Sequence, residues 1–482
     1  MTNPGRPSRV AYWGLLGSST LATLSSNILN APLEIIRTEL SSSVAEIVLM
    51  VSAFTVVLTV AVPVAGWWCD RFGNRRMLVS AFALMVAADL AGSMAETVGM
   101  LVPVRGLQGL ATSFIAPTVQ KSLFVIWPDF RKRSLALWAS ALGIGQAVGP
   151  LAGGAISQTL GWRAVFIVHA VLCAAMLFLL LATLPRVVDR TVRTNVAGLL
   201  LLMAGTGGVV IGLTLFAQRT VSSAAIISGL LGSVLLVGFV WVAYQRPDDL
   251  IDPRQLIGRT FAGSAAGASA AMFAMGSFLV ATPLFLSARL NTRPDVIGVI
   301  LCCLAIAMSL GGPLTGVLCR KWATSVAMRL GLLVNLVAAA GMGLVLLLPT
   351  PLAITVAVTL LLTLAGFGIS IVQSTSAEAL AASPPGRSGF GIGIHNMLKF
   401  AGMAVAYAWI AAFPPGENPL LTYMGVAVGI AAVFVFVWLT GEAAPPSGGR
   451  RMWSRSRARR GSQKGPGEPD GGSCEPQSDL AT

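Results

Sequence analysis

Charged residues are scarce in this chain, and acidic ones are scarcest of all. Only 11% of the 482 residues are charged, with 19 acidic against 33 basic side chains, whereas soluble domains carry about 25% charged residues. The hydrophobic share is 55%, and with the 52 glycines it reaches roughly 66%, against about 45–50% in soluble domains. Because so apolar a chain cannot bury its side chains in one aqueous globule, a soluble enzyme is excluded and an integral membrane protein is expected.

Catalytic and metal-binding patterns are missing as well. The six cysteines have no metal-ligand spacing and fall mostly in or beside apolar runs, which is typical of small buried hydrophobes. The chain contains no H-E-x-x-H, no G-x-x-x-x-G-K-[ST] and no G-x-S-x-G. We therefore predict no enzymatic activity, no cofactor and no metal. An ATP-driven pump encoded on this chain alone is also excluded, and the net charge of +14 is too dispersed to predict a nucleic-acid partner.

Apolar runs long enough to cross a bilayer dominate what remains. A spanning helix needs about 20 apolar residues, and fourteen such runs occur between clusters of charge, proline or glycine. They are residues 11–31, 45–68, 77–95, 98–120, 134–157, 161–183, 196–216, 221–244, 260–287, 296–318, 325–348, 352–375, 389–411 and 419–440. The sequence thus predicts an all-α polytopic membrane protein with 14 transmembrane helices.

Lysine and arginine are distributed unequally between alternate loops. With fourteen spans, 19 basic residues fall on one side and only five on the other, and the positive-inside rule makes the richer side cytoplasmic. Both termini then lie in the cytoplasm. Residues 441–482 are rich in Pro, Gly, Ser and Arg, so we expect a disordered tail whose arginines either anchor the topology or contact anionic lipid.

The loop after the second span carries a dense motif. It runs Gly66-Trp67-Trp68-Cys69-Asp70-Arg71-Phe72-Gly73-Asn74-Arg75-Arg76. Glycine permits close approach of helix ends and a tight turn, and a carboxylate suits a helix N-terminus or an arginine. The pattern resembles G-x-x-x-D-R-x-G-x-R-R of the major facilitator superfamily. The resemblance implies that Gly66, Asp70, Arg71, Gly73, Arg75 and Arg76 form a conformational-gating loop.

The fourth span contains an arginine where charge is costly. A central arginine costs at least about 2.5–3.5 kcal/mol on insertion scales, so Arg105 is a functional candidate. Together with Gln108 and Gly109 it resembles the R-x-x-Q-G element of the same superfamily, which implies a role in proton coupling. The alternative is a structural arginine that binds backbone carbonyls.

Glycines recur every fourth residue in the fifth span. Gly145, Gly149 and Gly153 share one helix face that permits close packing, and Pro150 removes a backbone hydrogen bond and bends the helix. With Gly154 they resemble G-x-x-x-G-P-x-x-G-G, the pattern of the superfamily's antiporters. This resemblance favours export.

The sixth span opens with Gly161-Trp162-Arg163, as in the fourteen-helix drug:proton antiporter branch, which the span count also resembles. The resemblance implies a major facilitator fold of two six-helix bundles plus two extra central helices. The expected domains are residues 1–10 (cytoplasmic N-terminus), 11–183 (N-terminal bundle), 184–259 (central pair and linkers), 260–440 (C-terminal bundle) and 441–482 (tail). A faint repeat aligns Gly316 with Gly66.

One expected group is absent. Members of that branch usually carry an acidic residue in the first span, but residues 21–32 contain none. Asp89 and Glu34 are the candidate replacements. At 1.5 Å per residue, Asp89 lies about 18 Å and Arg105 about 20 Å above the inner face, so we hypothesise a buried pair of these two, either structural or acting as the coupling switch. We interpret His169 and His395 as hydrogen-bonded helix contacts.

These observations predict a secondary transporter of the inner membrane. We expect a monomer that exports a small amphipathic drug or metabolite by proton antiport through alternating access, with protons and the lipid bilayer as its other partners. Candidates for the substrate cavity are Asn27, Asn30, Gln108 and Gln373. The alternatives are an uncoupled facilitator or importer of the same fold, or a binding protein that has lost transport.

Overall fold

The computed structural model describes residues 9–127, 131–185, 195–217, 223–246, 253–383 and 389–440. Within these ranges the chain forms sixteen α-helices, one short 3-10 turn (Val345–Leu347) and no strand. The helices are α1 (Arg9–Asn27), α2 (Leu33–Glu39), α3 (Val44–Phe72), α4 (Asn74–Ser93), α5 (Val98–Ile126), α6 (Arg131–Leu160), α7 (Trp162–Thr183), α8 (Val196–Ala217), α9 (Ser223–Gln245), α10 (Pro253–Leu256), α11 (Arg259–Leu290), α12 (Pro294–Lys321), α13 (Thr324–Leu344), α14 (Pro351–Ala382), α15 (Gly389–Ala412) and α16 (Pro419–Thr440).

Fourteen of the described helices are long, and they coincide with the fourteen predicted spans. Eleven of them are long and apolar enough to cross a membrane; α1, α6 and α15 do not meet that criterion. Each of these three helices packs against at least three other helices, and small and polar residues suit such close contact better than large apolar ones. The all-helical prediction is confirmed, while fourteen spans and cytoplasmic termini stay predictions, as do the domain boundaries. The two ends assigned to cytoplasmic segments lie mostly or wholly outside the described residues.

Local signals set the helix boundaries. Ser43 caps α3 through a capping box with Glu46, and Thr97 and Thr350 accept hydrogen bonds from the first turns of α5 and α14. Gly73 and Gly161 adopt φ values of 84° and 83°. Because only glycine takes this conformation readily, each glycine lets one long helix follow another almost without a loop.

The helices pack as two sets with the same internal arrangement. The N-terminal bundle consists of α1 and α3–α7, and the C-terminal bundle of α11–α16. The contacts α1–α6, α3–α5, α4–α5 and α4–α7 have the counterparts α11–α15, α12–α14, α13–α14 and α13–α16. The internal repeat therefore extends from a short motif to the packing of whole bundles.

Two glycine contacts show the repeat at atomic detail. A Cβ on Gly109 of α5 would lie 2.2 Å from the carbonyl oxygen of Phe54, and one on Gly366 of α14 would lie 2.3 Å from that of Leu304. Phe54 and Leu304 are 250 positions apart, as are Gly66 and Gly316 in the aligned loop motif. The same helix crossing thus requires glycine in both halves.

Contacts between the bundles run along two seams. One seam joins α6 to α12 and the other joins α3 to α15, while α8 lies across α3 and α15 and carries α9 on its far side. We call the face with the α6–α7 and α11–α12 connections the outer face, following the predicted orientation. One continuous apolar core joins the outer half of the N-terminal bundle to the C-terminal bundle, whereas the inner half of the N-terminal bundle has a core of its own.

Candidate functional site

Four polar side chains form a continuous chain inside the N-terminal bundle. His169 Nδ1 of α7 lies 2.7 Å from Asp89 Oδ2 of α4, and Gln108 Nε2 of α5 donates to Asp89 Oδ1 at 2.5 Å. Arg105 Nη1, one helical turn from Gln108, donates to Gln108 Oε1 at 2.8 Å. All four residues are at most 2% exposed. Hydrogen bonds of charged groups at this depth are strong because water does not compete for them.

The hypothesised direct contact between Asp89 and Arg105 is wrong. The amide of Gln108 lies between them, with its N–H toward the carboxylate and its carbonyl oxygen toward the guanidinium. Gln108 follows Arg105 by three residues, so both side chains share one face of α5, and the predicted equal depth could not reveal which of them reaches α4. The two charges remain linked, but through a neutral side chain that can turn.

Arg105 makes two further contacts. Its Nη1 donates to the backbone carbonyl of Ser25 in α1 at 3.1 Å, and its guanidinium carbon lies 4.6 Å from the centre of the Phe54 ring of α3. The structural alternative, binding to a backbone carbonyl, therefore holds for part of the guanidinium. Its Nε has no hydrogen-bond partner among the described residues.

Of the four hydrogen-bonded side chains, His169 is the one that the site prediction omitted. When Asp89 is ionised its oxygens only accept, so the proton of the contact lies on His169 Nδ1. Cys173 lies one turn away, with Sγ 3.6 Å from Nε2. The depth arithmetic could have found His169: about 12 Å from Gly161 at the outer face is about 18 Å above the inner face of an about 30 Å core, level with Asp89.

Asp89, His169 and Cys173 also have the donor atoms of a metal site, all within 4.8 Å of one another. Two ligands of a tetrahedral zinc ion, each at about 2.0–2.2 Å, must lie more than about 3 Å apart. The 2.7 Å between Nδ1 and Oδ2 is instead a hydrogen-bond distance. The arrangement is suited to holding a proton.

The glycines of the antiporter-like motif pack against two different helices. Added Cβ atoms would lie 2.3 Å from the carbonyl oxygen of Thr20 at Gly145 and 1.7 Å from that of Ile28 at Gly153; at Gly149 the nearest atom is Asn27 Cβ at 3.1 Å. These three face α1. Gly154 instead faces the other bundle, where its Cβ would lie 2.4 Å from the carbonyl oxygen of Pro294, and Pro150 lies on the same side.

The predicted gating loop joins α3 to α4. Gly66 and Asp70 lie on α3, and the side chain of Asp70 is outside the described part of the structure. Gly73 forms the turn with a positive φ, and Arg71 and Arg76 are exposed. Arg75 donates to the carbonyl oxygen of Leu181 at the end of α7. The adjacent Asn74, which the motif analysis did not single out, donates to Ser122 of α5 at 3.1 Å, so this loop ties three helix ends together.

The remaining predicted site residues do not meet at one place. Asn27 and Asn30 are 1% exposed and bonded to each other at 3.3 Å. Gln373 is half-buried near the inner end of α14 and its Nε2 has no partner among the described residues. Glu34 forms a bidentate pair with Arg37 on the short outer helix α2, which raises the pKa of Arg37.

The Gly161-Trp162-Arg163 phrase fixes that outer helix in place. Trp162 Nε1 donates to Glu39 Oε2 at 2.7 Å, and Arg163 lies 3.6 Å from the same carboxylate oxygen and 4.3 Å from the Trp162 ring. Arg163 also donates to the carbonyl oxygen of Ala95. The end of α2, the start of α7 and the end of α4 are thereby joined at the outer face.

A model of the Major Facilitator Superfamily matches residues 15–407. The chain belongs to this superfamily. Similar proteins include the multidrug resistance protein Stp of Mycobacterium tuberculosis, 24% identical over 60% of this chain and 54% of its own length. The putative multidrug resistance protein MdtD of Klebsiella pneumoniae is 25% identical over 61% and 63% of the two chains. The puromycin resistance protein pur8 of Streptomyces alboniger is 27% identical over 70% and 68%.

The chain therefore spans about half to two thirds of the length of these relatives. The superfamily is one of transporters rather than enzymes, and the eleven apolar helices found among the described residues of this chain agree with a multi-pass membrane protein. Among solved structures, that of the peptide transporter POT in complex with sulfate superimposes with a TM-score of 0.68 at 15% identity, covering 89% of this chain and 93% of the other. This similarity shows the major facilitator fold.

Proposed function

We propose that this superfamily member exports a small amphipathic molecule in exchange for protons, by alternating access between its two bundles. The observation that carries the proposal is the buried chain from His169 through Asp89 and Gln108 to Arg105. A carboxylate and an imidazole held together at this depth form a proton-binding pair without the usual first-span acid. The names of the relatives support a drug-like substrate.

The proposed coupling follows from the charges. With Asp89 ionised, its oxygens hold both His169 and Gln108, and Gln108 holds Arg105. A proton on Asp89 removes the negative charge that fixes these donors, which weakens charge-assisted hydrogen bonds. Gln108 can then turn and Arg105 can leave its position, so proton binding changes contacts made by α1, α3, α4, α5 and α7 together.

The packing supports an access change at the outer face. The outer half of the N-terminal bundle shares a core with the C-terminal bundle, and α6 meets α12 there through Gly154. Such a seam closes the space between the two bundles at the outer face. Its two helices must separate when that space opens outward. We further propose that the protein crosses the inner membrane fourteen times, with both termini in the cytoplasm. In this proposal it is a monomer whose domains are the two bundles.

The test is efflux of ethidium, a fluorescent lipophilic cation, from energised cells that express the chain. Uncoupler-sensitive efflux that is lost in Asp89→Asn and His169→Gln would support the proposal. Asp295→Asn is the matched control, because Asp295 is likewise paired with a basic side chain, Arg293, but lies at the outer face. Each variant is compared at equal membrane abundance. Efflux that persists after the proton gradient is collapsed would contradict antiport and favour an uncoupled facilitator.

A further inference from the structure

Arg105 carries one buried donor, its Nε–H, that has no acceptor among the described residues. Its Nη1 binds Ser25 and Gln108, but its Nε–H has no acceptor among the described residues although the side chain is 1% exposed. A buried donor without a partner is unfavourable. A residue that supplies an acceptor in another arrangement of the helices would therefore stabilise that arrangement.

Tyr407 of the C-terminal bundle offers such an acceptor across the α3–α15 seam. It lies on α15, is 2% exposed and packs against Gly276 of α11, where an added Cβ would be 3.3 Å from Tyr407 Cε1. Helix α15 packs against α3 along this seam, and Thr55 of α3 and the Arg105 guanidinium both act on the Tyr407 hydroxyl. Thr55 directly follows Phe54, the residue whose ring lies under that guanidinium.

We propose that Tyr407 is a positioning residue that accepts a hydrogen bond from Arg105 once a proton has reached the Asp89–His169 pair. The inference rests on the proposed function. Protonation frees Arg105 from Gln108, and the Tyr407 hydroxyl then binds the guanidinium from the opposite bundle. This contact converts proton binding in one bundle into a change in how the two bundles meet.

Few polar or titratable groups of the described residues surround the proposed proton site. Asp89 on α4 faces His169 and Cys173 of α7 and Gln108 of α5, α5 also brings Arg105, and α15 brings Tyr407. Among these groups, Arg105 is the one linked both to the proton site and to Tyr407. The proposed pH response of the bundles therefore depends on Arg105.

The chain offers a matched control. Tyr423 of α16 is 0% exposed, and its hydroxyl lies 3.5 Å from Thr282 of α11. Both partners belong to the C-terminal bundle. Tyr407→Phe and Tyr423→Phe each remove one buried hydroxyl and keep the ring, so their different effects report the seam rather than the loss of a polar group.

The experiment measures the distance between the outer ends of α4 and α13 in purified protein in nanodiscs. Nitroxide labels attached through p-acetylphenylalanine replace the exposed Glu96 and Leu347, so the native cysteines stay unlabelled. Distance distributions are recorded by double electron–electron resonance at about pH 5.5 and about pH 8.5, on either side of the range in which histidine titrates. No substrate is needed.

We expect pH to change the ratio of the two distance populations in the unsubstituted chain and in Tyr423→Phe, and this response to be lost in Tyr407→Phe. Loss of a hydrogen bond to a charged group corresponds to about a tenfold change in that ratio. An identical response in the two variants would overturn the role of Tyr407 and leave proton coupling standing. No response in the unsubstituted chain would overturn both.

Discussion

Gly298 of α12 meets Pro150 of α6 across the seam between the bundles. A Cβ on Gly298 would lie 2.6 Å from the carbonyl oxygen of Pro150, and one on Gly154 would lie 2.4 Å from that of Pro294. The two helices thus exchange the same contact in both directions, each presenting a glycine to the other's proline carbonyl. This reciprocal contact allows the outer halves of the bundles to share one core.

Gly298→Ala should open the outer seam. The new methyl group cannot fit against a backbone oxygen, and overpacking of this kind costs about 1–3 kcal/mol, which is roughly a 5- to 150-fold shift between conformations. The labels at positions 96 and 347 measure the shift. Gly312→Ala on the same helix has open space for its Cβ and should leave the distances unchanged. Equal distances in the two variants would contradict a closing role for this contact.

Gly153→Ala should destabilise the N-terminal bundle itself. Its Cβ would lie 1.7 Å from the carbonyl oxygen of Ile28, so α1 and α6 must separate. We expect the free energy of unfolding to fall by about 3 kcal/mol or more, the upper end of the usual cost of overpacking. Thermal unfolding in detergent measures the loss. Gly229→Ala of α9, which would contact nothing within 4 Å, should leave the melting temperature unchanged or slightly raised. A melting temperature of Gly153→Ala equal to that control would show that the crossing of α1 and α6 can adjust.

The Asp89–His169 pair should behave as a coupled unit in unfolding experiments. Removing one partner of a buried ion pair costs about 3–5 kcal/mol, whereas replacing both by apolar residues of similar size is often neutral. Asp89→Leu and His169→Phe should each destabilise the protein, and the double variant should lose less than the sum of the two single losses, although Gln108 still lacks its acceptor, while remaining unable to couple efflux to protons. Additive losses would mean that the two side chains do not interact.

The helical architecture could be predicted almost completely from the sequence, because long and predominantly apolar runs mark the spans and several turns carry their own signal. Gly73 and Gly161 mark turns between helices that are visible in the letters alone. The three helices whose apolar character is weakest, α1, α6 and α15, are predicted from apolar runs like the others, and the charge alternation of the loops supports the count of fourteen.

The site could be predicted only in part, because depth follows from counting residues and rotation does not. The count put Asp89 and Arg105 at one level, yet Gln108 rather than Arg105 meets the carboxylate. Successive side chains of a helix point about 100° apart. The depth of a residue therefore does not say which neighbouring helix its side chain faces. The close packing of Gly298 could not be predicted either, because the residues around it lack the proline and the glycine pair that distinguish the α6 motif.

Ser264→Ala should destabilise the inner end of the C-terminal bundle, where three helices meet at one hydroxyl. Ser264 Oγ of α11 donates to the carbonyl oxygen of Ser376 at 2.7 Å, so its lone pair is free to accept from His395 Nε2 at 2.9 Å. His395 Nδ1 has no partner among the described residues. Alanine would leave a second imidazole nitrogen unpaired at a cost of about 1–3 kcal/mol, and it would also remove the bond from α11 to the Ser376 carbonyl, which keeps its place in the α14 helix ladder.

Ser277→Ala on the same helix is the control for that substitution. Ser277 is as deeply buried, but its hydroxyl donates only to Phe273 within α11, an acceptor that already belongs to the helix ladder, so its loss should cost about 0.5–1.5 kcal/mol. Thermal unfolding should therefore show a larger drop for Ser264→Ala. Equal drops would mean that His395 finds another partner, and then α11, α14 and α15 are held together by their apolar contacts instead.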